Sequence, residues 1–135
     1  MTRRSTGQHE LALADTSLFI AIEAERPLPG PPPEAIAVSV ITVGELRLGV
    51  LAAGDGPTRA RRLETLSRVE ALEPLPIDTA VAHAWARLRL ALRDEGKRMP
   101  LSDSWIAATA MANGVPVVSQ DADYDQTPGL EVIRI

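Results

Sequence analysis

Residues 101–125 read LSDSWIAATAMANGVPVVSQDADYD, and this stretch decides the fold. Ser102 and Asp103, just after Pro100, are suited to open a helix. The small and apolar residues that follow carry it to Met111, and Asn113-Gly114 is a typical left-handed stop. Val115 to Ser119 then reads as a strand without polar alternation, which is the mark of a strand covered on both faces. Two acids, Asp121 and Asp123, follow the strand at once. A helix delivered into a buried strand is half of a parallel-sheet unit.

The same logic extends toward the N-terminus. Leu11 to Ala14 is a short apolar strand ending at Asp15; Thr16 and Ser17 can cap a helix from Ser17 to Glu25. Arg26 to Glu34 holds five of the eleven prolines and is expected to be an irregular, stiff connector. A second strand, Ile36 to Val40, leads into a helix from Thr42 to Leu51 with Val43, Leu46 and Val50 on one stripe. After the turn Gly54-Asp55-Gly56-Pro57, a charged helix from Thr58 to Leu72 turns Leu63, Leu66 and Val69 inward. Leu75 to Ile77 is a short third strand. Thr79 to Arg93 is helical through Val81, Trp85, Leu88 and Leu92, with Glu95-Gly96-Lys97 ending it, and Leu130 to Ile135 is a last strand. Apolar strands alternating with helices imply an α/β fold of three layers around a parallel sheet, in a single domain spanning residues 11–135. Residues 1–10 are expected to be a disordered tail.

Composition narrows the function. The 135 residues are 45% hydrophobic and 24% charged, a globular balance. No cysteine is present, which removes disulfides and thiolate metal sites. The N-terminal stretch makes a poor signal peptide and no run is long and apolar enough for a membrane span, so a cytoplasmic location without membrane contact is expected. A net charge of −4 looks wrong for a nucleic-acid binder. Yet 13 of the 14 basic residues are Arg, gathered at Arg59, Arg61, Arg62 and Arg68 and again at Arg87, Arg89, Arg93, Lys97 and Arg98. Each cluster reads equally well as a solvated helix face or as a phosphate-binding surface. At 3% of the chain and without clusters in the sequence, aromatics disfavour binding of single strands by base stacking.

In a parallel sheet, ligands sit beyond the carboxyl ends of the strands. Asp15 ends the first strand, Glu45 lies one turn into the helix after the second, Asp103 begins a helix, and Asp121 and Asp123 follow a strand. Singly, Asp15 and Asp103 are explained as helix caps, Glu45 as an exposed helix acid, and Asp121 and Asp123 as turn formers. Together they form a costly arrangement: two carboxylates about 5 Å apart repel by roughly 3 kcal/mol at an effective dielectric of 20. A bound cation would offset it. Oxygen ligands without Cys or paired His suit Mg²⁺ or Mn²⁺; His9 lies in the tail and His83 stands alone on a helix. Such a centre suits phosphodiester hydrolysis.

Three ordered segments carry a resemblance. LADTSLF (13–19), VITVGELRLGV (40–50) and residues 101–125 resemble, in order and spacing, the motifs of PIN-domain ribonucleases, over about residues 11 to 135. Among these, the small bacterial VapC-type toxins are most similar. The resemblance implies a five-stranded parallel sheet, an acidic Mg²⁺/Mn²⁺ site, endonucleolytic cleavage of RNA, inhibition by a VapB-type antitoxin, and a homodimer. It carries the catalytic and metal-binding quartet over to Asp15, Glu45, Asp103 and Asp121, with Thr16, Ser119 and Asp123 auxiliary. Asp121 is favoured over Asp123 as the fourth acid because it lies closer to the strand end. Ser119 and Tyr124 stand where the family has Thr and Phe. The competing reading is a PIN-like module that binds RNA or protein without cutting. A haloacid-dehalogenase-like phosphatase is disfavoured because Ser17 occupies the place of its second Asp, and a phospho-receiver domain because the only lysine, Lys97, lies on the wrong element. A Rossmann nucleotide binder would need a Gly-rich turn after the first strand, and none is present.

Overall fold

The computed structural model describes residues 11–31 and 33–135. The expected tail 1–10, with His9, lies outside the described residues. The elements in chain order are β1 (Leu11–Ala14), α1 (Thr16–Glu23), β2 (Ala35–Ala37), α2 (Val40–Leu51), α3 (Gly56–Glu70), α4 (Thr79–Asp94), α5 (Leu101–Ala112), β3 (Val117–Ser119), a 3₁₀ turn (Ala122–Tyr124) and β4 (Val132–Arg134). All pairings are parallel, in the order β2-β1-β3-β4.

Among the described residues the sheet has four strands rather than five. The expected strand at Leu75–Ile77 is reduced to one parallel bridge, Ser39 with Leu75, just past β2. Leu75 accepts from Val40 N–H and donates to Val38 C=O at 3.0 and 2.8 Å, as a strand residue would. Pro74 and Pro76 on either side have no N–H to give, so the ladder stops there.

The central strands are buried on both faces, and their side chains divide by parity. Leu13 and Val117 join Leu88 and Leu92 of α4, Ile106, Ala107 and Ala110 of α5, Met99 and Tyr124 in one core cluster. Ala12, Ala14 and Val118 point the other way, to Leu18 of α1 and to Ile135. Helices therefore cover both sides, the three layers that the apolar strands imply. Val38 connects the sheet to α2 and α3 through Leu46, Val50, Leu66 and Val69. Leu63, expected inward, is 44% exposed, because only Leu66 and Val69 of that stripe meet α2.

Helix ends follow local chemistry. Asp55 caps α3 by accepting from Thr58 N–H at 2.8 Å, so the expected turn at Gly54–Pro57 is in part the first turn of this helix, with Pro57 at its start. Asp78 caps α4 in the same way through Val81 N–H. Gly96 and Gly114 take φ near +67° and +68°, the left-handed stops after α4 and α5. Contrary to the sequence expectation, two of the aromatics do meet: Trp85 of α4 and Trp105 of α5 stack with ring centroids 4.4 Å apart, and Trp85 Nε1–H donates to Ser104 Oγ. Their contact is a helix–helix seam. Among the described residues no helix is long and apolar enough to cross a membrane.

Candidate metal centre at the carboxyl edge of the sheet

Asp15 takes the N-cap position of α1, yet its side chain makes no cap hydrogen bond. It is 3% exposed, and Ser17 Oγ donates to its Oδ1 at 2.8 Å. Burial raises its pKa, against the lowering pull of the Ser17 and Ser119 hydroxyls and of the Leu18 and Ser17 amides. Asp103 likewise does not cap α5; Pro100 holds that position and Asp103 lies in the first turn. Capping therefore does not explain Asp103, and for Asp15 it leaves a buried carboxylate without a formal cap hydrogen bond.

Asp103, Asp121 and Asp123 each bring one carboxylate oxygen within 4.8 Å of the others. Burial pushes the Asp103 pKa up to about 7; the Tyr124 hydroxyl pulls it down, and the negative charges of Asp121, Asp123 and Asp15 raise it further. Tyr124 is fully buried and its hydroxyl donates to Asp103 Oδ1 at 3.2 Å. Desolvation pushes the phenol pKa well above its ordinary range, and the negative charges of Asp103, Asp15 and Glu45 add to this.

Glu45 lies outside the three-carboxylate group but is wired to it. Its Oε1 accepts from Thr16 Oγ1 at 2.5 Å and its Oε2 from Ser102 Oγ at 3.1 Å. These donors are the chain neighbours of Asp15 and Asp103. Thr42 Oγ1 in turn lies 3.0 Å from Thr16 Oγ1. Ser119 accepts from Asp121 N–H at 2.7 Å and lies 3.3 Å from Ser17 Oγ, which fixes the chain as it leaves β3. Asp121 accepts from Asp123 N–H at 2.9 Å, so its turn-forming role is real and occupies one of its oxygens. His83 is exposed on α4 and is not part of the group.

All seven residues singled out in the sequence therefore lie at the carboxyl edge of the sheet or in its hydrogen-bond network. Asp103, Asp121 and Asp123 form the tightest group, whereas Asp15 and Glu45 connect through charge and hydroxyls. Sequence reasoning missed the parts played by Ser17, Thr42, Ser102 and Tyr124. Ser102 and Ser17 could be suspected from their nearness to Asp103 and Asp15; Thr42 and Tyr124 reach the site through packing alone.

Among the described residues no Lys or Arg pairs with any of the five acids. Crowded, partly desolvated carboxylates without a protein cation fit a hard divalent ion held by oxygen.

The site is a cluster of acids gathered past the strand ends of a parallel sheet, and the sequence comparisons give the family. The PIN domain pattern matches residues 12–130, and the chain belongs to the PIN-domain family. It is 51% identical over 129 residues to Ribonuclease VapC4 of Mycobacterium tuberculosis, covering 92% of this chain and 96% of the relative. It is 45% identical over 125 residues to Ribonuclease VapC5 of the same organism, covering 90% and 93%. Among solved structures, a member of the VapBC family of toxin–antitoxin systems, VapBC-5 of M. tuberculosis, superposes with a TM-score of 0.82 at 42% identity, covering 94% of this chain and all of that one. FitAcB from Neisseria gonorrhoeae superposes with a TM-score of 0.73 at 30% identity, covering 90% and 96%.

Proposed function

We propose that this protein is a divalent-metal-dependent endoribonuclease and the toxin of a bacterial type II toxin–antitoxin pair. The observation that carries the reading is the meeting of Asp103, Asp121 and Asp123 within 4.8 Å, with Glu45 tied through Thr16 and Ser102 to the chain beside Asp15 and Asp103, and no Lys or Arg paired with these acids among the described residues. Its similarity to Ribonucleases VapC4 and VapC5, and its superposition on a member of the VapBC family of toxin–antitoxin systems, support it. The substrate is RNA, the protein partner a VapB-type antitoxin, the working form a homodimer and the setting the cytoplasm.

Asp15, Asp103, Asp121 and Glu45 would hold Mg²⁺ or Mn²⁺. When bound, the ion lowers the pKa of water and offsets negative charge developing on the phosphate. The chain supplies orientation. Ser17 fixes Asp15, Thr16 and Ser102 fix the two oxygens of Glu45, and Tyr124 holds one oxygen of Asp103. Asp123 assists from the rim of the site. In the hydrolysis, water oxygen bonds to phosphorus and the bond from phosphorus to the 3′ oxygen breaks, leaving 3′-hydroxyl and 5′-phosphate ends. The test is cleavage of a structured RNA with and without excess chelator. Cleavage is expected to fall to background in chelator, to return on adding Mn²⁺, and to give 5′-phosphate products. Undiminished cleavage in chelator contradicts the reading, and metal-dependent RNA binding without any cleavage would establish the non-cutting module instead.

A further inference from the structure

The two arginine clusters have different fates. In the first, Arg59 donates to Ala53 C=O at 2.9 Å and Arg62 to Gly49 C=O at 2.7 Å, tying α3 to the end of α2. Arg61 makes one exposed contact to Thr58 Oγ1 at 3.5 Å, and Arg68 pairs with Glu64 at 3.5 Å with both side chains mostly exposed. Two of the four cations in this cluster thus serve the packing of α3 on α2.

The second borders an open cleft of about 660 Å³, whose lining includes Arg89, Arg93, Lys97 and Arg98 together with Asp123. Arg89 and Arg93 are four apart on α4 and so share a face. Arg89 is pinned by donating to Met99 C=O at 3.3 Å. Lys97 donates to Gln126 C=O at 2.9 Å, tying the basic wall to the chain just past Asp123, and pairs with Glu95 at 3.0 Å. Arg93 touches only its neighbour Asp94, at 3.6 Å and with both side chains mostly exposed. Arg98 has no hydrogen bond or ion pair among the described residues. The cleft thus holds two cations anchored to backbone carbonyls, Arg93 with one long and exposed contact, and Arg98 with none among the described residues.

We propose that this cleft receives the phosphates of the RNA strand next to the bond that is cut, which rests on the ribonuclease reading above. Three facts point there. A chain of net charge −4 with an acidic centre repels a polyanion unless cations are concentrated beside that centre. Asp123 belongs both to the carboxylate group and to the cleft, so a strand lying in the cleft enters the site directly. Arg89 and Lys97 are tied to the backbone carbonyls of Met99 and Gln126, so part of the basic wall is already held in place for a strand to meet.

The test compares wild type with Arg93→Gln/Arg98→Gln and with Arg68→Gln/Arg87→Gln, which removes the same charge away from the cleft. All four side chains are exposed, so folding is not at stake. Binding of a short single-stranded RNA is followed in chelator between about 50 and 200 mM salt. The cleft variant is expected to bind about tenfold more weakly, with the slope of log affinity against log salt reduced by about 1.4, since each lost contact to a single strand removes about 0.7. On an RNA that wild type cuts, its KM should rise about tenfold and kcat stay within about twofold. The control variant should match wild type in both. A wild type that binds and cuts RNA with a cleft variant equal to the control overturns the cleft assignment alone. A wild type that neither binds nor cuts RNA overturns the ribonuclease reading and the cleft with it. A cleft variant that keeps RNA but loses a polyglutamate peptide assigns the cleft to an acidic protein and also overturns the proposal.

Discussion

Asp103→Asn is expected to abolish cleavage, by a factor of about 10³ or more, while making the metal-free protein more stable. The two effects share one cause. Burial and the charges of Asp121, Asp123 and Asp15 hold the Asp103 carboxyl near a pKa of about 7, above its ordinary 3.8. The folded state therefore keeps this proton longer than the unfolded chain does. Stability from this group is fully present below the unfolded value and falls as pH rises from about 4 through about 7. Since Asp103 is only half-buried, solvent screening reduces the penalty at pH 8 to about 1–2 kcal/mol. Asparagine has no charge to desolvate, so the variant should melt a few degrees higher than wild type at pH 8 and at the same temperature near pH 4. Added Mg²⁺ should reverse the order, because only wild type gains stability from binding it. A metal-free variant that melts below wild type at pH 8 would contradict a crowded carboxylate site.

Asp121 and Asp123 should separate sharply. Both belong to the carboxylate group, but Asp121 is half-buried just past β3 and fixed by its N–H on Ser119 Oγ. Asp123 is exposed in the 3₁₀ turn and borders the basic cleft. Asp121→Asn is expected to weaken metal affinity and cleavage more than about 100-fold, whereas Asp123→Asn loses about tenfold, as for residues that support a metal ligand from outside. Metal affinity and cleavage rate, measured on both variants, decide the order. A larger loss at Asp123 assigns the fourth ligand to it and leaves Asp121 as the turn former that its bond to Asp123 N–H already makes it.

What was legible in the sequence followed short-range chemistry. Apolar strands without alternation, the Gly96 and Gly114 stops, and acids placed just after strands gave the layers and the edge where the site lies. Registers and long-range partners were not legible. The segment at Leu75 has strand residues, and only its bond to Val38 and Val40 between two prolines reveals that it ends after one pair. Leu63 sits at helical spacing with Leu66, yet α2 does not reach it. Trp85 and Trp105 are distant in sequence and stack only because α4 and α5 pack together. In the site, Tyr124 reads as a mild replacement of Phe, but its hydroxyl is the added feature: it touches Asp103 from inside the core. Asp15 and Asp103 read equally as helix caps in the sequence; in the fold Asp15 stands at the cap of α1 without a side-chain cap bond, and Pro100 stands at that of α5.

The proposed divalent-cation site joins these carboxylates into one centre. Its most direct test is calorimetric titration of Mn²⁺ into the metal-free protein at neutral pH, wild type beside Asp103→Asn. Wild type is expected to bind saturably, with proton release as Asp103 gives up the proton that burial lets it keep, and the variant to lose that binding and that release. Equal binding by the two proteins, or none that saturates in wild type, would contradict it.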